Sequence, residues 1–311
     1  VSAEPASRWR QTVTRLQGRQ QGRIRLFLAV SPRSSGVLCL AMLLLAACVG
    51  RGLDDRRASA ATLAAARNWQ LLRLAVSPLP LVAYVPGSVI AKETLTVYVE
   101  GDGLAWLARS AASDDPTPHR ALALEMALKH WPGTAVYLGR PCQYLQAAEM
   151  DDCDPAYWTN RRFAPEVLDS TDHAISLLKR RFGATRLVLV GYSGGGAIAA
   201  LVAARRDDVV RLVTVAGNLD HARWTRHHRV PPLVGSLNPA LEWQRLRGVP
   251  QLHLVGAEDA NVPAWIAESY ASAFPASERP EVRVLPGFDH QCCWAERWPE
   301  LSSGADLQAE R

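Results

Sequence analysis

Most of the short apolar segments of this chain are continuous rather than alternating. Residues 95–99, 134–142, 187–190, 209–217, 250–256 and 281–288 are short segments rich in Val and Leu. Such segments read as strands. Between them, 119–130, 164–182 and 194–204 carry the spacing of helices. The alternation predicts an α/β fold, a doubly wound, mostly parallel sheet. Ahead of it, 70–76 and 79–85 are separated by Ser77-Pro78 and closed by Pro86-Gly87, which predicts an antiparallel strand pair. The alanine-rich stretch 56–67 reads as a linker or a short helix, so the domain itself is expected over 69–311, with 48–68 leading into it.

One apolar run has a different character. Residues 37–49, VLCLAMLLLAACV, follow a segment rich in arginine and are too short to span a bilayer comfortably, but fit the core of a signal peptide. The run ends in Leu45-Ala46-Ala47-Cys48, which resembles a bacterial lipobox; that resemblance implies cleavage before Cys48 and a lipid on its sulfur. Val49 in place of an aspartate would favour the outer membrane. The expectation is an exported, periplasmic protein tethered to the membrane through Cys48, with 1–47 removed. An ordinary secretory signal or a buried helix is the alternative, and the basic segment also raises a translation start further on, for instance at Val30.

Charge narrows the partners. The formal charge of +5 is concentrated at the start, where seven of the 35 basic residues and one of the 30 acids fall in 1–47. The remainder holds 28 bases against 29 acids, so nucleic-acid binding has little support. With 48% hydrophobic residues over 311 positions, the chain is long enough for one large core.

The chemistry centres on 186–204, RLVLVGYSGGGAIAALVAA. An apolar strand meets Gly191, Tyr192 and Ser193, then three glycines, then an alanine-rich helix. A serine at so sharp a turn presents its hydroxyl at the tip, and only neighbours without a bulky Cβ fit around it. Gly194-Gly195-Gly196-Ala197-Ile198-Ala199 also fits a dinucleotide-binding turn, but the following strand ends at Asn218 where an acid is needed. No lysine follows the glycines, which excludes a phosphate-cradling loop. Gly191-Tyr192-Ser193-Gly194-Gly195 resembles the nucleophile elbow of the α/β-hydrolase family, and the resemblance covers about residues 90–300.

That resemblance implies further site residues. The family takes one oxyanion-hole N–H from the residue after the nucleophile, here Gly194, and another from the loop after an earlier strand, here Gly103 or Leu104. A plain Gly-rich turn, with Asp102 capping the next helix, is the competing reading of that loop. The stretch from Gly256 to Pro263 resembles the family's acid loop and points to Asp259, with Glu258 as its rival. His290, directly after the final strand, stands where the family places its base. The order Ser193, Asp259, His290 matches the family and differs from that of the other serine-triad folds. His253 lies inside a strand and reads as a core histidine.

The stretch 218–247 is polar, bears Trp224 and Trp243, and falls where the family inserts a lid. His221, His227 and His228 lack the carboxylate or cysteine partners of a metal site and read as loop or substrate-contact residues; no metal or cofactor is expected. Trp224 and Trp243 read as packing residues. Cys142 and Cys153 read most simply as a disulfide across a polar loop, since their spacing lacks the close pairs of a metal site. Cys292 and Cys293 are each expected to be free or paired elsewhere, because adjacent cysteines seldom bond to each other. The function these signals imply is serine hydrolysis of an acyl bond, a carboxylic ester first and an amide, peptide or thioester otherwise. A membrane-tethered, hydrolase-like binding protein without catalysis is the alternative.

Overall fold

The computed structural model describes residues 55–89, 92–130 and 133–304. The signal-like run and Cys48 lie outside the described residues. Among the described residues no helix is long and apolar enough to cross a membrane.

Eight strands form one sheet in the order β1-β2-β6-β3-β7-β8-β9-β10. The outer pair β1 (Trp69–Leu74) and β2 (Leu81–Pro86) is antiparallel, as the two short runs predicted, and β2 is antiparallel to β6 (Thr134–Leu138). From β6 inward all neighbours are parallel: β3 (Thr94–Val99), β7 (Arg186–Tyr192), β8 (Val209–Val215), β9 (Gln251–Gly256) and β10 (Glu281–Leu285). The inner strands are buried along nearly their whole length, which is why their sequences do not alternate. A separate two-stranded hairpin, β4 (Trp106–Ala108) and β5 (Ala111–Ala112), lies in the connection after β3.

The chain leaves β3 towards β6 on one side and then returns to β7 on the other. Right-handed crossovers in opposite directions put their helices on opposite faces. Accordingly α2 (Leu122–Ala127) packs against α7 (Trp294–Gly304), whereas α3 (Pro165–Arg181) packs against α4 (Gly194–Ala203). Helix α5 (His221–His228) follows β8, and α6 (Ala264–Ser272) joins β9 to β10. The reversal between β3 and β7 opens a crevice at their carboxyl ends, the place where open α/β sheets bind ligands.

The alanine-rich stretch is helix rather than linker. Helix α1 runs over 55–65 and buries Ala60 and Ala64 in the main core. Arg57 pairs with Asp115 at 2.5 Å, and Arg56 donates to the Thr117 carbonyl. Small side chains at i and i+4 let the helix approach closely, so the packed domain begins by residue 55 instead of 69.

Cys142 and Cys153 are disulfide-bonded, with Cα atoms 5.8 Å apart. Cys142 is fully buried, so the bond ties a polar loop to the core. It also anchors Gln143, whose amide donates to the Gly101 carbonyl at 3.0 Å and so braces the loop after β3. Replacing both cysteines by alanine should cost about 2–3 kcal/mol, the loop-closure entropy of a ring this size. A thermal melt of the double variant checks it; an unchanged Tm would mean that the bond restrains nothing in the unfolded chain. Cys292 and Cys293 correct the sequence expectation, since they are bonded to each other.

Candidate active site

Ser193 sits between β7 and α4 with φ 52° and ψ −119°, a conformation that L side chains rarely adopt. Three backbone hydrogen bonds hold it there. Its N–H donates to the Val215 carbonyl at 2.9 Å, and its own carbonyl accepts from Gly196 and Asn218 at 3.0 and 3.1 Å. The strain is thus imposed by β8 and by the first turn of α4, and it leaves the hydroxyl half-exposed at the crevice.

His290 comes from the loop after β10. Its Nε2 lies 3.0 Å from Ser193 Oγ, and its Nδ1 lies 2.8 Å from Asp259 Oδ2. A carboxylate only accepts, so Nδ1 carries the proton towards Asp259 and Nε2 is left to accept from the serine hydroxyl. Asp259 is 4% exposed, and its other oxygen accepts the N–H groups of Asn261 and Val262 at 2.8 and 2.7 Å. These two bonds fix the carboxylate where a helix cap would be, with one oxygen aimed at the histidine. Glu258, the rival acid, is exposed.

Two neighbours of the histidine carried no sequence signal. Tyr192 donates its hydroxyl to the His290 carbonyl at 3.0 Å and lays its ring 5.5 Å from the imidazole. Trp294 donates to the Asp289 carbonyl at 2.9 Å. Both clamp the loop, yet neither stands at a position that a motif marks beyond the variable letter of the elbow.

Of the expected oxyanion donors, Leu104 is excluded. Its N–H is spent on the Pro116 carbonyl at 3.1 Å. Gly103 remains, at φ 66° on the wall of the crevice. Gly194 is the first residue of α4, where a backbone N–H has no partner within the helix and the helix dipole favours negative charge.

Asp102 does not cap the next helix. It lies between two arginines, with Arg140 Nη1 at 2.9 Å and Arg162 Nη1 at 2.6 Å. Burial alone would raise its pKa, but the two guanidiniums prevail and hold the carboxyl below its ordinary value. The neighbouring Glu100 is 1% exposed and forms no ion pair among the described residues. One of its oxygens accepts from Gly101 at 2.9 Å, the other has no hydrogen-bond partner among the described residues, and burial pushes its carboxyl up to about 7.

Glu100 yields a pH prediction. Its folded pKa lies above the value of 4.5 expected unfolded, so its contribution is fully present below about pH 4.5 and is lost as pH rises through 7. The ionised form should therefore cost about 3 kcal/mol in alkaline solution. Glu100→Gln should raise the Tm markedly at about pH 8.5 and little at about pH 4.5. A gap between variant and wild type that does not widen with pH would rule this out.

A cavity of about 660 Å³ opens over Ser193 and His290. Residues 218–233 of the lid-like stretch form part of its wall, and the rest turns back onto the body, where Leu246 is buried and Trp243 packs on Phe274. Trp224 is a cavity residue rather than core, its indole donating to the Asn261 carbonyl at 2.7 Å. His253 is a core histidine: Nδ1 meets Thr214 Oγ1 at 2.8 Å, and burial pushes its pKa down to about 3. Among the described residues there is no cluster of three metal-ligating side chains.

Solved structures share this arrangement of strands and helices. They include Pyrococcus horikoshii acylaminoacyl peptidase, at 13% identity over 77% of this chain and 40% of that one, with a TM-score of 0.55. An alpha-beta serine hydrolase homologue from Coxiella burnetii matches at 14% identity over 76% and 95% of the two chains, with a TM-score of 0.50. Est1E from Butyrivibrio proteoclasticus matches at 12% identity over 76% and 99%, also with a TM-score of 0.50. The chain has the α/β-hydrolase fold. At these identities the likeness is one of fold, and the chain spans only 40% of the length of the peptidase. No protein-family model matches the chain, and no curated protein matches it in sequence. Within the α/β-hydrolase fold, Ser193 occupies the turn from the central strand β7 into α4, Asp259 the loop after β9, and His290 the loop after β10.

Proposed function

We propose that the protein is a serine hydrolase that cleaves an acyl bond, a carboxylic ester first among them, through Ser193, His290 and Asp259. One observation carries the reading: a serine, an imidazole and a buried carboxylate from three separate loops meet in one chain of hydrogen bonds at the floor of a cavity. The similar structures include an acylaminoacyl peptidase and an alpha-beta serine hydrolase homologue, which supports hydrolysis as a class.

Each proposed step uses a group of this site. Ser193 Oγ attacks the acyl carbonyl while His290 Nε2 takes its proton. Asp259 keeps the ring in the required tautomer and stabilises the imidazolium. The N–H groups of Gly194 and Gly103 receive the negative charge on the carbonyl oxygen. His290 then protonates the departing alkoxide, leaving an acyl-serine. Water, deprotonated by His290, attacks that ester; the acid leaves and the proton returns to Ser193.

The test is covalent labelling of the folded protein by a fluorophosphonate, beside Ser193→Ala and His290→Ala. Labelling that needs both residues is expected. A folded wild type with an accessible serine that takes no label would instead favour a binding protein without catalysis.

A further inference from the structure

The cavity wall holds a cation that the hydrolytic chemistry does not use. Arg140 and Arg162 share the single carboxylate of Asp102, and their side chains are only 5% and 7% exposed. Among the described residues Asp102 is the one carboxylate in ion-pair contact with either guanidinium, so two nearly buried cations share a single directly bonded anion, an arrangement that a further acceptor would stabilise. The cluster touches the catalytic turn: a Cβ placed on Gly194 would fall 2.0 Å from Asp102 Oδ1.

The free charge is presented by Arg162. Its Nε donates to the Thr159 carbonyl at 2.6 Å and its Nη1 to Asp102, while Nη2 has no hydrogen-bond acceptor among the described residues. Arg162 lines the same cavity as Ser193. Of the five N–H groups of a guanidinium, two are spent and the others are available to an acceptor. Arg140, by contrast, is turned to the Arg162 carbonyl and does not reach the cavity.

The other charges on the wall do not cancel this one. Arg120 is occupied by Glu125 and Glu296. Glu100 is bonded to the Gly101 N–H and forms no ion pair with either arginine among the described residues. Arg109, at the turn of the β4–β5 hairpin, is an exposed cation on the cavity rim with no ion pair among the described residues. The remaining wall is largely apolar, with Trp106, Trp224, Pro231 and Leu233.

We propose that Arg162, fixed by Asp102 and Arg140 and assisted by Arg109 at the rim, is an anion subsite, and that the preferred substrate is an ester whose acyl part carries a carboxylate. A carboxylate fits better than a phosphate because the buried cluster has one charge to answer, and a guanidinium edge matches its two oxygens. The inference rests on the serine-hydrolase reading.

The experiment compares 4-nitrophenyl butyrate with the mono-4-nitrophenyl ester of glutarate in wild type, Arg162→Gln and Arg109→Ala. A charge-assisted pair predicts a preference for the glutarate ester of about tenfold or more in kcat/KM, expressed mainly in KM. Arg162→Gln should bring that ratio close to one. Arg109→Ala, which removes an exposed side chain, should lower it several-fold and weaken its dependence on salt, so the idea remains testable if the buried variant does not fold. A wild-type ratio at or below one, or a ratio unchanged in Arg109→Ala and in folded Arg162→Gln, would overturn the subsite. Calorimetric binding of free glutarate to Ser193→Ala protein separates the two claims. Binding that is lost in Ser193→Ala/Arg162→Gln, alongside turnover indifferent to Ser193, would sink the hydrolase reading and keep the subsite. Turnover that needs Ser193, without glutarate binding or preference, would do the reverse.

Discussion

Alanine at Ser193 or at His290 will lower kcat/KM for an activated ester by about 10⁴- to 10⁶-fold, and the double variant will lose little more than either single one. The three side chains form one hydrogen-bonded chain, from Oγ to Nε2 at 3.0 Å and from Nδ1 to Asp259 at 2.8 Å, and in the proposed mechanism they act as a unit, so that removing one link disables the rest. Asp259→Asn should cost about 10⁴-fold, because an amide at that place can donate to Nδ1 and hold the ring in the wrong tautomer. The same side chain also accepts from Asn261 and Val262, so the variant's melt must be compared with wild type before the loss is assigned to the tautomer. Steady-state kinetics on purified variants checks the series. Additive losses in the double variant would mean that the residues do not act as a unit, and the proposed mechanism would fall.

Gly191→Ala and Gly195→Ala will each abolish folding or cost about 4 kcal/mol or more, beyond the usual range for single substitutions. A Cβ on Gly195 would stand 2.3 Å from the Val99 carbonyl oxygen and 2.4 Å from that of Glu100. On Gly191 it would stand 2.3 Å from the Gly195 carbonyl oxygen. All of these are backbone atoms, of α4 or of the end of β3 and the residue after it, so relief requires moving whole elements apart rather than turning a side chain. Gly287→Ala is the control. Its φ of 75° is unfavourable for alanine, but nothing lies within 4 Å of the added carbon, so the cost should be near 1 kcal/mol. Denaturant unfolding of the three variants decides it: similar losses at all three would mean that backbone conformation, not collision, sets the requirement for glycine in the elbow.

Much of this architecture can be read from the residues. Continuous apolar runs predict buried parallel strands because a strand covered on both faces has no polar face to show, and that is how β3, β7, β8 and β9 are arranged. Ser193 is legible because its turn is local: the glycines that permit it are within a few positions. Asp259 and His290 are legible only with a family in mind, since each is a common residue just past a strand. The stretch 55–65 is less so. Its alanines fit a linker as well as a helix, and only their contacts with the core distinguish the two.

The sequence by itself determined the alternation of strand and helix and the place of the strained serine turn, both of which depend on neighbours close in sequence. The tertiary structure decided what no local pattern encodes. It committed the Leu104 N–H to Pro116 and so left Gly103 as the candidate donor of that loop. It set Tyr192 against the backbone of His290, 98 residues away. It joined Asp102 to Arg140 and Arg162, 38 and 60 positions later, and left one guanidinium edge facing the cavity. Such pairings come from strand order and crossover direction. A charged residue's partner is whichever group the fold brings beside it, and in a sheet that reverses at β3 that group lies far along the chain.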